Sequence, residues 1–239
     1  MSHHRPFHFR HFSLMHHQST MKVGTDAILL GAWVNVAHAT RILDIGTGSG
    51  IIPLMIAQRN RIASIVGVDI DAPSVAEASL NFRVSQWRNR LEAVHADIRD
   101  FMKTKVQRFD LIVSNPPFFT HGIKAQVHRR NLARFTDTLP FEDHIKATEI
   151  LLDPDGILTV VLPTTESLRY IENADSAGFS IVRSLNIVPV EGREPNRIIM
   201  EFKRENLADP SVETFVIRTS CGNFSEGYKK LLENYYLGL

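Results

Sequence analysis

Residues 41–50 read RILDIGTGSG, and this stretch decides the fold. RILDI (41–45) is a short run with strand character, and it passes without a spacer into GTGSG (46–50). IIPLMIAQRN follows at once with a helical pattern. A strand, a glycine-rich turn and a helix in direct succession form the first half of a βαβ unit. SIVGVDI (64–70) supplies the second strand, and its near-continuous apolar character suits a strand buried on both faces of a parallel sheet.

The alternation continues outward. APSVAEASLNFRVSQW (72–87) has helical spacing, LEAVHA (91–96) is a strand running up to Asp97, and FDLIVS (109–114) is the fourth strand. FEDHIKATEILL (141–152) reads as a helix closed by DPDG (153–156). ILTVVLP (157–163) follows as a strand, and TTESLRYIENADSAG (164–178) as a helix with a glycine stop. SIVRSLNIV, NRIIMEFKR and ETFVIRT are strands without a full helix between them, so an antiparallel edge is expected. SEGYKKLLENYY (225–236) is a terminal helix. The pattern predicts an α/β fold with a doubly wound sheet and right-handed crossovers. Residues 119–139 are the one long irregular stretch, and such loops are often functional.

Composition bounds the function. A chain of 239 residues suits one α/β domain with extensions. The net charge of +1 gives no global field for nucleic acid, so any such partner must meet a local patch. A single cysteine, Cys221, excludes an internal disulfide and fits a reducing cytoplasm. ILLGAWVNVA (28–37), the longest apolar run, falls far short of the ~20 residues that span a bilayer, so no membrane association is expected. Six of the 11 histidines fall within the first 17 residues, but no carboxylate or cysteine joins them at ligand spacing. No metal is expected, and residues 1–20 read as a loosely ordered arm before a single domain over 21–239. Residues 21–110, approximately, form its cofactor half and 111–239 its substrate half.

In open α/β sheets ligands bind beyond the carboxyl ends of the strands. Asp44, Asp69, Asp97 and Asn115 all fall at such ends. Gly46, Gly48 and Gly50 let the backbone turn sharply and approach a ligand closely. Their spacing is G-x-G-x-G with Ile51 next, so the G-x-G-x-x-G dinucleotide fingerprint is not met. A carboxylate at Asp44 would repel a diphosphate and attract a cation. S-adenosylmethionine carries a sulfonium and an ammonium and no phosphate. Asp69, 25 residues after Asp44, is placed to accept from ribose hydroxyls. Asp97 is placed to accept from an adenine amine, or to cap the short helix IRDFM. Asp71 is the better cap for the helix that starts at 72.

DLIVSNPPFF (110–119) carries the chemistry. The exocyclic amine of a base is a poor nucleophile because its lone pair is delocalised into the ring. Two acceptors at its N–H groups would favour a more tetrahedral nitrogen. The Asn115 side-chain carbonyl can be one and the Pro116 backbone carbonyl the other. Pro116 and Pro117 have fixed φ and hold that carbonyl rigidly. Phe118 offers a face for a planar base.

These residues resemble the class I, Rossmann-like, S-adenosylmethionine-dependent methyltransferases over about 41–165. That resemblance implies a mostly parallel seven-stranded sheet with an antiparallel edge. It also implies a cofactor site lined by Gly46, Thr47, Gly48, Gly50, Asp69, Ile70, Asp97 and Ile98. The NPPF form is similar to that of amino-methyltransferases acting on adenine, guanine or a protein glutamine. MKVGTD (21–26) with LLGAW (29–33), NPPF, HRRNLAR (128–134) and EGREPNRIIMEF (191–202) closely resemble the bacterial tRNA1(Val) (adenine-37-N6)-methyltransferases, over nearly the whole chain. That family modifies adenosine 37, beside the anticodon. The resemblance implies that Lys22, Gly24 and Thr25 lie over the cofactor. MKVGTD can equally be a helix start, with Thr25 or Asp26 as cap. Phe118 stands where many amino-methyltransferases have tyrosine, so a phenol hydrogen bond is absent. Phosphate contacts are expected from Lys124, His128, Arg129, Arg130 and Arg134, and from Arg5, Arg10, Lys229 and Lys230. The competing readings are another amine acceptor (rRNA guanine, DNA adenine, protein glutamine), a dinucleotide oxidoreductase, and a non-catalytic RNA-binding protein. The first is separated by acceptor. Asp44 and the glycine spacing weigh against the second, and the intact Asn115-Pro116-Pro117 against the third. A monomer is expected.

Overall fold

The structure is a computed structural model that describes residues 5–19, 23–104, 107–116, 139–205 and 209–238. A two-strand antiparallel ribbon opens it, β1 (Phe7–His8) and β2 (Ser13–Leu14), followed by α1 (Thr25–Trp33). Strands and helices then alternate: β3 (Arg41–Ile45), α2 (Ile51–Arg59), β4 (Ser64–Asp69), α3 (Ala72–Val84), β5 (Leu91–His95), α4 (Ile98–Thr104) and β6 (Phe109–Ser114). The second half contains α5 (Phe141–Leu151), β7 (Leu152–Pro163), α6 (Thr164–Ser176), β8 (Ser180–Val190), β9 (Arg197–Lys203), β10 (Ser211–Arg218) and α7 (Glu226–Leu232).

The main sheet has the order β10-β8-β9-β7-β6-β3-β4-β5. It is mostly parallel, as the alternation predicts, but it holds eight strands among the described residues rather than seven. The antiparallel strand is also not at the edge. β9 lies between β7 and β8 and runs against both. With both sides of β9 taken, β10 can pair only outside β8, and it does so in parallel to form the edge. DPDG is no separate turn: Asp153 to Gly156 bulge opposite β6, between the Phe109–Leu152 and Leu111–Ile157 pairs.

Strand alternation sorts the core into two layers. Ile42, Leu111 and Val113 pack with α1, α2 and α7, while Leu43, Ile45 and Ile112 pack with α4, α5 and α6. Chain order reverses at β3, from which β4 and β5 continue one way and β6 and β7 the other. This is the topological switch point, where α/β sheets bind ligands.

Residues 5–19 are not a loose arm. Phe9, Phe12 and Leu14 are buried, Phe9 stacks on Phe12 at 4.5 Å, and Phe12 meets Trp87 edge-on at 5.9 Å. The Arg10 backbone N–H donates to the Tyr235 carbonyl at 2.8 Å, and its guanidinium to the Tyr236 carbonyl at 2.6 Å. The aromatic residues between the cations of this segment bury enough apolar surface to order it.

α1 corrects a second expectation. Gly24 occupies its cap position and no side chain caps it; Asp26 instead pairs with Arg197 at 2.9 Å. The carbonyls at its far end are met by cations. Arg59 donates to Gly31 and Val34, and Arg183 donates to Trp33 while stacking over its ring at 3.7 Å. Beyond α2, the Asn60 amide donates to the Val36 and Ala39 carbonyls and accepts from the Ile62 and Ala63 N–H groups. Four backbone groups, three of them buried, thus depend on one side chain. Asn60→Ala is expected to cost about 2 kcal/mol, read as a Tm drop of about 5 °C in a calorimetric scan.

Candidate active site

The loop after β3 is built for close approach. Gly46, Gly48 and Gly50 have φ of 76°, 55° and 81°, a region that favours glycine. The Gly46 and Thr47 N–H groups donate to the Val68 carbonyl on β4, which pulls the loop across the end of the neighbouring strand. A Cβ at Gly46 or Gly48 would meet nothing within 4 Å, so the loop presents bare backbone to open space. At Gly50 a Cβ would collide with Phe82, because there the loop seats against α3. Gly67 of β4 has a similar reason: a Cβ would enter the Thr47 side chain.

Asp44 is fully buried, and neither carboxylate oxygen has a partner at hydrogen-bond geometry among the described residues, Thr47 being near but not bonded. Burial pushes its carboxyl up to about 7; the nearby Thr47 hydroxyl opposes the rise and the Asp69 charge adds to it. Asp69 accepts the Gly48 N–H at 2.8 Å and the Asp71 N–H at 2.9 Å, so it braces the loop as well as ending β4. Burial raises its carboxyl too, against those two N–H groups. Asp71 caps α3 as its position implies, accepting from the Ser74 N–H. Asp97 caps the start of α4 through the Arg99 N–H and pairs with the Arg99 guanidinium, which holds its carboxyl below the usual range. Ile70, beside Asp69, is 48% exposed, whereas Ile98 is buried.

Asn115 leaves β6 on the adjacent strand. Ile45 pairs with Ser114, so Gly46 and Asn115 depart at the same level on either side of the switch point. The Ser114 hydroxyl donates to the Ile45 carbonyl at 2.8 Å and ties the two strand ends together. The Asn115 side-chain oxygen is buried and has no partner among the described residues. Pro116 is buried beside it. A buried acceptor without a donor is costly, so this one suits a donor that a ligand would bring.

The structure therefore brings together Asp44, Gly46, Thr47, Gly48, Gly50, Asp69 and Asn115, with Ile70 and Asp97 at the next strand ends. Gly24 and Thr25 begin α1. Lys22, Pro117, Phe118, Lys124, His128, Arg129, Arg130 and Arg134 lie outside the described residues. Sequence reasoning missed Ser114, Gly67 and two buried polar residues of α3, Glu77 and Asn81. The signal for the last pair was present: two polar residues at i, i+4 on the helix face that also carries Val75, Ala78 and Phe82. No group of three or more His, Cys, Asp or Glu among the described residues could hold a metal.

The residues fit S-adenosylmethionine. An orphaned buried carboxylate suits a cation, and the open glycine backbone leaves room beside it. The family model described as Methyltransferase small domain matches residues 17–171, which places the chain among the methyltransferases. The crystal structure of a predicted O-methyltransferase from Agrobacterium tumefaciens has the same fold, with a TM-score of 0.67 at 18% identity over 88% of this chain and 96% of that one. Two relatives, from Phocaeicola vulgatus and Bacteroides fragilis, are 39% and 38% identical; they cover 98% and 97% of both chains, and each is named tRNA1(Val) (adenine(37)-N6)-methyltransferase. The chain belongs to that family.

Burial keeps a proton on Asp44, so a cation held by its carboxylate would bind in a pH-dependent way. The folded chain keeps this proton between about 3.8 and about 7, so the contribution of Asp44 to stability falls as pH rises through that window and is level above it. A cation that binds the carboxylate must displace the proton. S-adenosylmethionine affinity is expected to rise with pH up to about 7 and then flatten, with proton release visible by calorimetry in buffers of different ionisation enthalpy. Asp44→Asn is expected to weaken binding and abolish the Asp44-linked proton release while raising the thermal stability of the free protein above pH 7.

Proposed function

We propose that this protein transfers a methyl group from S-adenosylmethionine to N6 of adenosine 37 in the anticodon loop of valine tRNA. The observation that carries the reading is the buried, unpartnered Asn115 carbonyl at the switch point, one strand from the unpartnered Asp44 carboxylate. S-adenosylmethionine supplies an electrophilic methyl group. The chain's residues do the rest. Asp44 draws the cationic end of the cofactor, Gly46 and Gly48 admit it against bare backbone, and Asp69 and Asp97 accept from its ribose and adenine. Lys22, Gly24 and Thr25 cover it, and Ile70 and Ile98 flank its base.

Asn115 accepts one N–H of the adenine amine and the Pro116 carbonyl accepts the other. The two acceptors favour a tetrahedral nitrogen, and its lone pair turns toward the methyl group. Positive charge that builds on nitrogen meets dipoles already oriented toward it, which lowers the barrier without a proton-abstracting residue before attack; the cofactor would leave as the neutral thioether, and the methylated nitrogen would then lose one proton to water. Pro117 stiffens the turn, and Phe118 stacks on the base. An unstacked anticodon-loop adenine is cheaper to extrude than one in a duplex. Lys124, Arg129, Arg130 and Arg134 hold phosphates. Arg10 and Lys229 contribute less, since Arg10 is bonded to the Tyr236 carbonyl and Lys229 pairs with Glu226. One chain carries every group invoked, so the working unit is a monomer, acting in the cytoplasm where tRNA is found. No helix among the described residues is long and apolar enough to cross a membrane.

Methyl transfer from labelled cofactor to fractionated tRNA, rRNA and protein tests the acceptor, with a mass-spectrometric digest of the tRNA to locate N6-methyladenosine. Label in ribosomal or protein fractions and none in tRNA would overturn it. Asn115→Ala is expected to lower kcat by at least about 100-fold while cofactor affinity stays within a few-fold. Strongly weakened binding would make Asn115 a cofactor ligand first. Arg129→Ala with Arg130→Ala is expected to weaken tRNA binding and reduce the slope of log K against log salt by about 2. An unchanged slope removes that segment from the RNA face.

A further inference from the structure

α3 holds two buried polar side chains that the mechanism does not use, Glu77 (5% exposed) and Asn81 (1% exposed). Every hydrogen-bonding group of the Asn81 amide is engaged with backbone. Its nitrogen donates to the Ser49 carbonyl and to the Met15 carbonyl, both at 2.8 Å, and its oxygen accepts the Met15 N–H at 2.9 Å. Ser49 belongs to the glycine loop, and Met15 to the segment that leads out of the N-terminal ribbon. One amide thus joins the two.

One turn earlier on the same helix face, Glu77 accepts the N–H groups of His17 (2.7 Å), Gln18 (3.1 Å) and Ser19 (2.9 Å). Burial alone would push this carboxyl up, but the three N–H groups outweigh it and hold it below the usual range. The order matters. Phe12 packs on Trp87 just beyond the C-terminal end of α3, Met15 meets Asn81 and residues 17–19 meet Glu77. The N-terminal segment therefore climbs α3 in reverse, toward the carboxyl ends of the strands. The next residues of α3, Ala78 and Phe82, are those against which Gly50 seats.

We propose that Asn81 is a positioning residue for the cofactor loop, and that with Glu77 it couples the docking of residues 15–19 to the binding of S-adenosylmethionine. The inference rests on the cofactor reading above. Loop and segment share one amide, so a ligand that orders the loop orders the segment, and a docked segment tightens the loop for the ligand by the same factor. Asn81 touches no reacting atom in this scheme and acts through the Ser49 carbonyl.

Calorimetric titration with S-adenosylmethionine and hydrogen exchange test this without tRNA. Asn81→Ala is expected to raise the Kd about tenfold; in turnover it should raise KM for the cofactor while kcat at saturation stays within about twofold. Glu77→Gln should raise the Kd several-fold. Asn60→Ala, which removes a buried amide bonded to four backbone groups at the far end of α2, should lower Tm comparably yet leave the Kd unchanged. In the unaltered protein, S-adenosylmethionine should slow exchange at the Met15, His17, Gln18 and Ser19 amides by about fivefold or more. A Kd unmoved by Asn81→Ala, an equal rise in Asn60→Ala, or exchange unaffected by the cofactor would each overturn the coupling. The exchange measurement stands even where Asn81→Ala fails to fold. Failure of the unaltered protein to bind S-adenosylmethionine overturns the cofactor reading together with the coupling, and it is told apart because no variant is involved.

Discussion

The parallel pairing of β3 with β6 is the constraint on which the rest depends. Leu43 lies beside Ile112, Asp44 beside Val113 and Ile45 beside Ser114, and this register delivers Gly46 and Asn115 to the same height. Because side chains alternate along a strand, a slip of one residue would turn Leu43 and Ile112 out of their core layer. Core packing and site geometry are thus specified by the same register. The Ser114 hydroxyl bonded to the Ile45 carbonyl locks the last pair, where the ladder ends and fraying would otherwise begin.

At that locked junction the molecule tolerates groups that a stable core would reject. Asp44 is a carboxylate in an apolar layer without a hydrogen-bond partner, and Asn115 buries a carbonyl oxygen without a donor. Each disfavours folding. The apolar strands around them offset the cost: Ile42, Leu43, Leu111, Ile112 and Val113 are at most 1% exposed. Gln58, His144 and Thr159 also carry unpartnered buried atoms, but Asp44 and Asn115 are the two that meet beside the open glycine loop, the pattern of a site preorganised for a ligand.

Much of this was legible in the sequence, for identifiable reasons. RILDI, SIVGVDI and FDLIVS carry their strand character in local composition, and GTGSG carries its own backbone demand, so the parallel half of the fold and the acidic strand ends could be read directly. The interior place of β9 could not, because strand order depends on which edges remain free, a property of the assembled sheet. The N-terminal segment was misread because its histidines and arginines dominate its composition, while Phe9 and Phe12 find their partners in Trp87 and Tyr236, far along the chain. Asn81 and Glu77 escaped for a related reason. Their partners are backbone groups of distant residues, and backbone bonding leaves no residue-type signature at the other end.

The choice of an amide at position 115 follows from the charges already present. Asp44 and Asp69 stand at neighbouring strand ends, and both carboxyls are raised by burial. A third carboxylate one strand away would meet the same desolvation and the repulsion of the other two, and it would be driven toward its protonated form. A protonated acid presents a donor as well as an acceptor, so it would face an amine hydrogen with the wrong group for part of the time. The asparagine carbonyl is an acceptor at every pH, carries no charge to desolvate and leaves the field of Asp44 for the cation. Under the proposed reaction the acidic strand ends and the neutral acceptor beside them are one electrostatic arrangement, in which the carboxylates that would favour a sulfonium make a further negative group at the amine unfavourable.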